Sequence, residues 1–478
     1  MDQRFITTPR SPAAARVGRV LTWLAGIVCF GFLLSAIVLI ARQIIVPPPA
    51  HRIVLVRTIP LPEGLKAKGA PDSLAPGQSQ DWDGFDFQAI DPTTHLLFIA
   101  HTGPNPYNFS FEDNTFHWDD PADIARDGNI LVFDLQQQKL VGRVPIPRVF
   151  GLVVAPDLHK VFAAGSEQDR IYSFDEPSLT NIKFLQLDAY EGPDTMSYDP
   201  LTHKLFVAAG GKLVRYPVQV PGQNLPIQNG NRDPAKENVY VIDAPTLKVL
   251  AKINIGKLPK LPDEDFSKGE APVPITADNA PKFGYVVGQI TYNEVTHLLY
   301  LVIQVSVNRN IRLQPLPPLG TAELVTIDPV ADKIIHRTIL PESCSTPHAM
   351  ALDTEQNIAY MDCTDVDPNV PLVQHLMRMD LNTMKAFPDD PRQTMLAPYP
   401  NMLALDRPQQ LLFEACGGGI TVFDIRPGHF RKLGNYVIGH YNTLSIIIDE
   451  STQFIYLPVP GAGGRPTLYI AQYNPRGV

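Results

Sequence analysis

Five polar side chains of this 478-residue chain occupy related positions and carry groups that can hold a cation or a small polar ligand. Four of them each lie five residues before the first residue of a short turn, namely Asp86, Asp194, His348 and Asn401. The fifth, His101, follows the strand after the first such turn. Carboxylate, imidazole and amide groups of this kind converge in concave binding sites. These residues are far apart in the sequence, so only the fold can bring them together.

Local catalytic motifs do not supply a simpler site. The sequence contains no Gly-x-Ser-x-Gly elbow, no Gly-x-x-x-x-Gly-Lys phosphate loop and no His-Glu-x-x-His zinc motif. The candidate ligands also lack the short spacing of a tight metal site. We therefore expect a binding protein rather than an enzyme and no resident cofactor, with a cation held at these five residues as the alternative.

The elements that must position these residues are seven similar hairpins. In residues 197–208, two apolar runs flank a turn that begins at Asp199-Pro200. Asp-Pro begins tight turns because proline fixes φ and aspartate bonds to the backbone downstream. The pattern recurs at residues 89–100, 153–164, 290–302, 349–361, 403–415 and 446–457. The repeated His95, His159, His203 and His297 share one turn position, which predicts turn residues rather than metal ligands.

A second repeat lies between the hairpins and completes a four-stranded unit. An apolar pair followed by aspartate ends a strand at Asp134, Asp175, Asp243, Asp328, Asp380 and Asp424. Four short strands per repeat, A to D, predict an all-β fold, a seven-bladed β-propeller of antiparallel blades over residues 52–478. The seventh repeat lacks its outer strand, and the isolated strand at residues 53–61 is predicted to close it. Two unrelated β-sandwiches, the alternative, would leave both periodicities unexplained.

The hairpins carry a family resemblance. Residues 199–208 read Asp-Pro-Leu-Thr-His-Lys-Leu-Phe-Val-Ala, and with the Val-x-Val-Ile-Asp strand ends this layout resembles the YVTN-repeat β-propellers of bacteria and archaea. The likeness covers about residues 52–478 and implies the fold rather than an activity. The Tyr-Val-Thr-Asn tetrapeptide itself is absent; the matching positions read Phe-Val-Ala-Ala, Tyr-Met-Asp-Cys and Phe-Glu-Ala-Cys.

The N-terminal part predicts a membrane anchor. Residues 1–19 are polar and contain four arginines, whereas residues 20–41 carry no charge and are long enough to cross a bilayer. We expect a cytoplasmic tail at 1–19, an uncleaved transmembrane helix at 20–42 and a proline-rich stalk at 43–51. The preceding arginines place the N-terminus in the cytoplasm and the propeller outside it, in a single-pass protein of the cell membrane.

Charge and cysteine content restrict the partners and cross-links. The formal net charge of −9 argues against general electrostatic binding of nucleic acid. Cys29 lies in the predicted membrane helix, which leaves Cys344, Cys363 and Cys416 outside it. Either Cys363–Cys416 or Cys344–Cys363 can form a disulfide, and three unpaired thiols are the equal alternative.

Long insertions indicate which face carries function. Residues 101–129, 218–237, 256–284 and 305–321 all fall on connections between strands B and C or between blades, which emerge on one face of a propeller. We expect this face to bind an extracellular protein, polymer or small molecule. The alternative is a propeller enzyme, a lactonase-like hydrolase or a quinoprotein-like dehydrogenase, with its site at the upper end of the channel.

Overall fold

The computed structural model describes residues 52–62, 84–103, 107–110, 115–118, 128–146, 149–165, 169–188, 192–210, 213–219, 226–232, 237–255, 286–304, 322–341, 343–344, 346–365, 373–388, 390–417, 419–438, 444–460 and 466–474. Of two compact units, Ile53–Tyr473 holds nearly all of these residues; the other comprises Met1–Arg52 and Asn474–Val478. The predicted tail, membrane helix and stalk lie outside the described residues. Within the described ranges, no helix is long and apolar enough to span a bilayer.

The described part of the larger unit contains seven four-stranded sheets, the blades. After β1 (Arg52–Pro60), blade 1 comprises β2 (Gly84–Asp91), β3 (Leu96–Gly103), β6 (Asn129–Asp134) and β7 (Lys139–Pro145), with β4 (Tyr107–Ser110) and β5 (Thr115–Trp118) as an inserted hairpin. Blade 2 comprises β8 (Val149–Ala155), β9 (Lys160–Gly165), β10 (Arg170–Asp175) and β11 (Thr180–Gln186), with a 3-10 turn at Pro156–Leu158. Blade 3 comprises β12 (Pro193–Asp199), β13 (Lys204–Gly210), β16 (Glu237–Asp243) and β17 (Lys248–Asn254), with β14 (Leu213–Gln219) and β15 (Pro226–Arg232) as an inserted hairpin.

The remaining blades follow in chain order. Blade 4 comprises β18 (Val286–Asn293), β19 (Leu298–Gln304), β20 (Glu323–Asp328) and β21 (Lys333–Ile339). Blade 5 comprises β22 (Thr346–Asp353), β23 (Ile358–Asp365), β24 (Val373–Asp380) and β25 (Lys385–Ala386), and the short helix α1 (Pro391–Thr394) follows it. Blade 6 comprises β26 (Pro400–Asp406), β27 (Leu411–Cys416), β28 (Gly419–Asp424) and β29 (Arg431–Tyr436). Blade 7 comprises β30 (Ile447–Asp449), β31 (Phe454–Val459), β32 (Thr467–Asn474) and β1.

The turns between strands A and B have one common design. The side-chain oxygen of the first turn residue accepts a backbone N–H two or three residues on, in the way of an Asx turn. The residues that do this are Asp91, Asp199, Asn293, Asp353, Asp406 and Asp449. The last turn residue is left-handed, a conformation that His and Asn adopt more readily than most side chains. The prediction that the recurring histidines are turn residues is confirmed, because this position holds His95, His159, His203, His297, Asn357, Gln410 and Gln453.

The core consists of seven apolar clusters among the described residues, one at each blade junction. Successive residues of strand B face opposite neighbours. In β3, Leu97 and Ile99 pack against blade 7, whereas Phe98 and Ala100 pack against blade 2. Because both faces of each blade are buried, strand B is apolar at almost every position instead of alternating.

Closure of the ring uses the N-terminal strand. β1 is the outer strand of the blade 7 sheet, next to β32. Beyond its end, Leu61 N donates to Pro466 O at 2.8 Å, and the Leu61 side chain is buried in the cluster between blades 7 and 1. The predicted closing strand and the count of seven blades are confirmed.

Two carboxyl groups connect blades 1 and 2 at the end of the blades that carries the A–B turns. Thr94 Oγ1 donates to Glu176 Oε1, and Glu176 lies within hydrogen-bonding reach of Asp91. Asp91 Oδ2 and Glu176 Oε2 are buried with no other partner, so a proton shared between them satisfies both atoms. Burial raises the pKa of Glu176 to about 7, with the Asp91 charge acting in the same direction and the Thr94 hydrogen bond against it.

From the shared proton we predict that the free energy of unfolding depends on pH and that Glu176→Gln removes this dependence. The folded protein holds the proton more tightly than the unfolded chain, so its stabilisation is complete below pH 4.5 and is lost as the pH rises to about 7. Glutamine keeps both hydrogen bonds without needing a proton. At about pH 8 the variant should be more stable than the natural protein by about 1–2 kcal/mol, with little difference at acidic pH. Urea unfolding across this pH range measures it, and a difference independent of pH would contradict the shared proton.

Candidate functional site

The residues predicted to surround the channel mouth, the end where strands A begin, share a backbone irregularity. In blades 1 to 6, one stretch of strand A contains one residue more than the stretch of strand B that pairs with it. In blade 5, for example, Pro347 pairs with Cys363 and Met350 pairs with Met361, so that two residues of strand A lie opposite one residue of strand B. Such a β-bulge leaves its extra residue outside the ladder and redirects its side chain. The bulges of blades 1, 3, 5 and 6 contain the predicted Asp86, Asp194, His348 and Asn401, and the corresponding residues of blades 2 and 4 are Phe150 and Gly288.

Polar groups of the bulges join neighbouring blades around the mouth. His348 Nδ1 lies 3.2 Å from Asn401 O, and Asn401 Nδ2 donates to Leu444 O at 3.0 Å. Ser445 Oγ donates to Asp86 O, which continues the ring from blade 7 to blade 1. Since the partner of His348 Nδ1 is a carbonyl oxygen, that nitrogen must carry a proton, which leaves Nε2 of this exposed side chain for a ligand.

The same ring continues through blades 2 to 5. Thr195 Oγ1 donates to Gly288 O at 3.3 Å, and Gln289 Oε1 accepts a backbone N–H of blade 5 at 2.9 Å. Between blades 2 and 3 the backbones approach so closely that a Cβ on Gly151 would lie 2.1 Å from Asp194 O. The mouth is therefore a belt of blade-to-blade contacts as well as a polar opening.

Two buried carboxyl groups support this belt between blades 5 and 6. Asp362 Oδ1 accepts the backbone N–H groups of His348 and Ala349 at 3.0 and 2.5 Å, and Glu414 Oε1 accepts that of Asn401 at 3.1 Å. Both lie in strand B, and their exposed fractions are 2% and 0%. They satisfy N–H groups that the bulges remove from the ladder. The sequence analysis missed both, although an acidic residue within an apolar strand was the available signal.

The two carboxyl groups differ in how firmly they hold a proton. Burial raises the pKa of Glu414 well above its usual range, and repulsion by Asp362 adds to this. Burial also raises the pKa of Asp362, but the nearby His348 and the two N–H donors favour its ionised form. Glu414 is therefore the protonated member of the pair, and Asp362 holds a proton less firmly than Glu414 does.

The other predicted site residues do not form one cluster with these groups. Asp86 and Asp194 are half-buried at junctions 7–1 and 2–3, whereas His348 and Asn401 are neighbours. His101, which we expected among the ligand groups, is fully buried, with its ring stacked on Phe85 at 4.8 Å between centroids, so its side chain is not open to a ligand. Within the described ranges, no group of three or more His, Cys, Asp or Glu side chains is placed to hold a metal ion.

A disulfide fixes the segment that enters the blade 5 bulge. Cys344 is bonded to Cys363, with Cα atoms 4.8 Å apart, and Cys416 is a free, buried thiol. Cys363 faces blade 4, whereas Cys416 faces the opposite junction, between blades 5 and 6. The sheet of blade 5 separates the two residues, which explains why the alternative Cys363–Cys416 pairing does not form.

The charge assignment of the buried pair predicts that Glu414→Gln is tolerated at about pH 7. Glutamine can replace a neutral glutamic acid and still accept the Asn401 N–H, so the free energy of unfolding should fall by less than about 1 kcal/mol. The matched control is Glu323→Gln. Glu323 is also buried, but it pairs with Arg337 at 2.9 Å, so its loss should cost about 2–4 kcal/mol. If urea unfolding shows that the two variants lose the same free energy of unfolding, Glu414 is ionised.

Comparison with known proteins establishes the fold. No protein-family model and no curated protein sequence matches this chain. Kuenenia stuttgartiensis hydrazine synthase is 12% identical with a TM-score of 0.54, over 81% of this chain and 96% of that one. A chain of the mitotic checkpoint complex is 8% identical with a TM-score of 0.53, over 88% and 92%. The Cps50 (Swd1) β-propeller domain of Myceliophteria thermophila is 9% identical with a TM-score of 0.52, over 88% and 100%.

At these identities the likeness concerns the fold alone. The prediction of YVTN-repeat kinship stays a prediction. The chain is an all-β protein whose described part is a seven-bladed β-propeller of four-stranded antiparallel blades.

Proposed function

We propose that this chain is a membrane-anchored binding or scaffolding module, which presents the mouth end of its propeller outside the cytoplasm to a protein, polymer or small-molecule partner. The observation that carries the proposal is the place of the inserted hairpins. Both β4–β5 and β14–β15 leave their blades between strands B and C. Strand B ends beside the beginning of strand A, as the pairing of His101 with Phe85 shows, so the insertions emerge at the end that carries the bulges.

The belt of bulge contacts suits such a role. Binding residues are usually carried by loops on a rigid scaffold. Here hydrogen bonds such as His348–Asn401 and Asn401–Leu444 hold the bases of the connections together across blade junctions. The similar chain in the mitotic checkpoint complex is part of a protein assembly, which agrees with a scaffolding role.

The disulfide supports a location outside the cytoplasm. Disulfides persist in oxidising compartments and are rare where glutathione keeps thiols reduced. The Cys344–Cys363 bond therefore agrees with the topology proposed from the uncharged segment at 20–42 and the arginines before it.

Thiol counting in cells tests this location. Intact cells are quenched with acid and denatured, and the thiols are labelled with a polymer-linked maleimide with and without prior reduction. Of the four cysteines, Cys29 and Cys416 should react without reductant, and all four should react after it. Cys344→Ser should raise the unreduced count by exposing Cys363. Four labels without reductant would contradict an oxidising location.

Replacement of the first hairpin tests the binding face. The full chain in nanodiscs is compared with a variant in which residues 107–118 are a Gly-Ser segment of equal length. The control is Phe184→Ser on the outer strand of blade 2, where the natural side chain is 54% exposed. Quantitative capture from envelope extracts should lose its enriched partners only in the hairpin variant, and reciprocal capture should recover this chain. Identical enrichment by all three proteins would overturn the proposed face.

A further inference from the structure

A second concave site lies at the opposite end of the channel, where strands A enter the A–B turns. A cavity of about 460 Å³ opens there, a volume typical of small-molecule sites. Its wall is about equally polar and apolar, and the apolar part includes Val153, Leu352, Leu403 and Leu405. An elongated aliphatic group therefore suits the apolar part.

Two tyrosines of the cavity wall are fixed by the same kind of polar contact. Tyr198 OH donates to Asp157 Oδ2 at 2.8 Å and lies 2.9 Å from His203 Nδ1, while His203 Nδ1 lies 3.0 Å from the same carboxylate oxygen. One blade further on, Tyr292 OH lies 3.0 Å from His297 Nδ1 and also interacts with the aspartate of the preceding turn. Burial and then these aspartates raise the pKa of both phenols. Both rings are thus neutral, and their hydroxyl groups are occupied.

The charges at the cavity rim are predominantly negative. Glu294 lines the cavity, is exposed and has no ion-pair partner among the described residues, and its charge reaches the Tyr292 phenol. The only basic side chain among the lining residues, Arg407, lies 3.2 Å from Glu450 Oε1, which offsets its charge. An anionic ligand would therefore meet repulsion at Glu294, whereas a cation would not.

We propose that this cavity binds an organic cation consisting of an ammonium group on an aliphatic stem. The ammonium group lies against the ring of Tyr292 and the carboxylate of Glu294, where cation–π attraction and a charge-assisted hydrogen bond act together. The stem packs along Leu352 and Leu403. The same chemistry is offered by a free diamine and by a lysine side chain of a peptide. This site lies at the other end of the channel from the proposed partner face and does not depend on it.

Titration calorimetry with the full chain in nanodiscs tests the proposal. The probes are cadaverine, its neutral analogue pentanediol and a lysine tripeptide capped at both ends. Cadaverine or the tripeptide should bind at least about tenfold more tightly than pentanediol, and the tighter of the two identifies the source of the cation. Equal binding of cadaverine and pentanediol would reduce the site to an apolar cavity and overturn the proposal, as would no binding of either cation.

Variants locate the binding. Glu294→Gln should weaken cation binding about five- to tenfold, whereas Glu355→Gln, an exposed turn acid outside the cavity lining, should leave it unchanged. Tyr292→Phe keeps the ring and should retain binding, and Tyr292→Leu should lose it. Equal effects of the two glutamate variants would indicate general attraction to an acidic surface and overturn the site. Because Glu294 is exposed, its variant decides the matter even if Tyr292→Leu does not fold.

Discussion

Burial of both faces of every blade is the constraint on which this structure depends. In strand B, neighbouring residues such as Leu97 and Phe98 face different blades, so a single sheet always leaves an apolar face exposed. Only a closed ring removes the last such face. β1 completes the sheet of blade 7, and its Ile53 and Ile59 side chains pack against the edges of the clusters on the two faces of that blade.

The bulges show how a polar channel mouth coexists with this apolar core. Each extra residue in strand A withdraws backbone groups from the ladder, and these groups need other partners. Most partners come from the neighbouring blade, but between blades 5 and 6 they are Asp362 and Glu414. The same polar contacts thus join the blades at their junctions and position His348 and Asn401.

The sequence allowed prediction of what depends on local order. The turn residues, the blade count and the closing strand follow from patterns within a few residues of each other, and the four residues counted back from the turns all lie in strand A bulges. Three features could not be predicted, because they depend on which blade a strand B side chain faces. They are the backbone groups bound by Asp362, the burial of His101 and the disulfide between Cys363 and Cys344. The paired Tyr and His groups at the turn end were missed since their aspartates belong to the preceding blade.

The pairing of β1 with β32 also determines when the ring can close during biosynthesis. Among the described strands, β1 leaves the ribosome first and its partner leaves last, so the earliest strand waits for nearly the whole protein to be made. Until then the backbone edge of β1 and one apolar face of blade 1 have no partner. Such an unfinished ring can pair with other chains through its open edge until the last strand has been made.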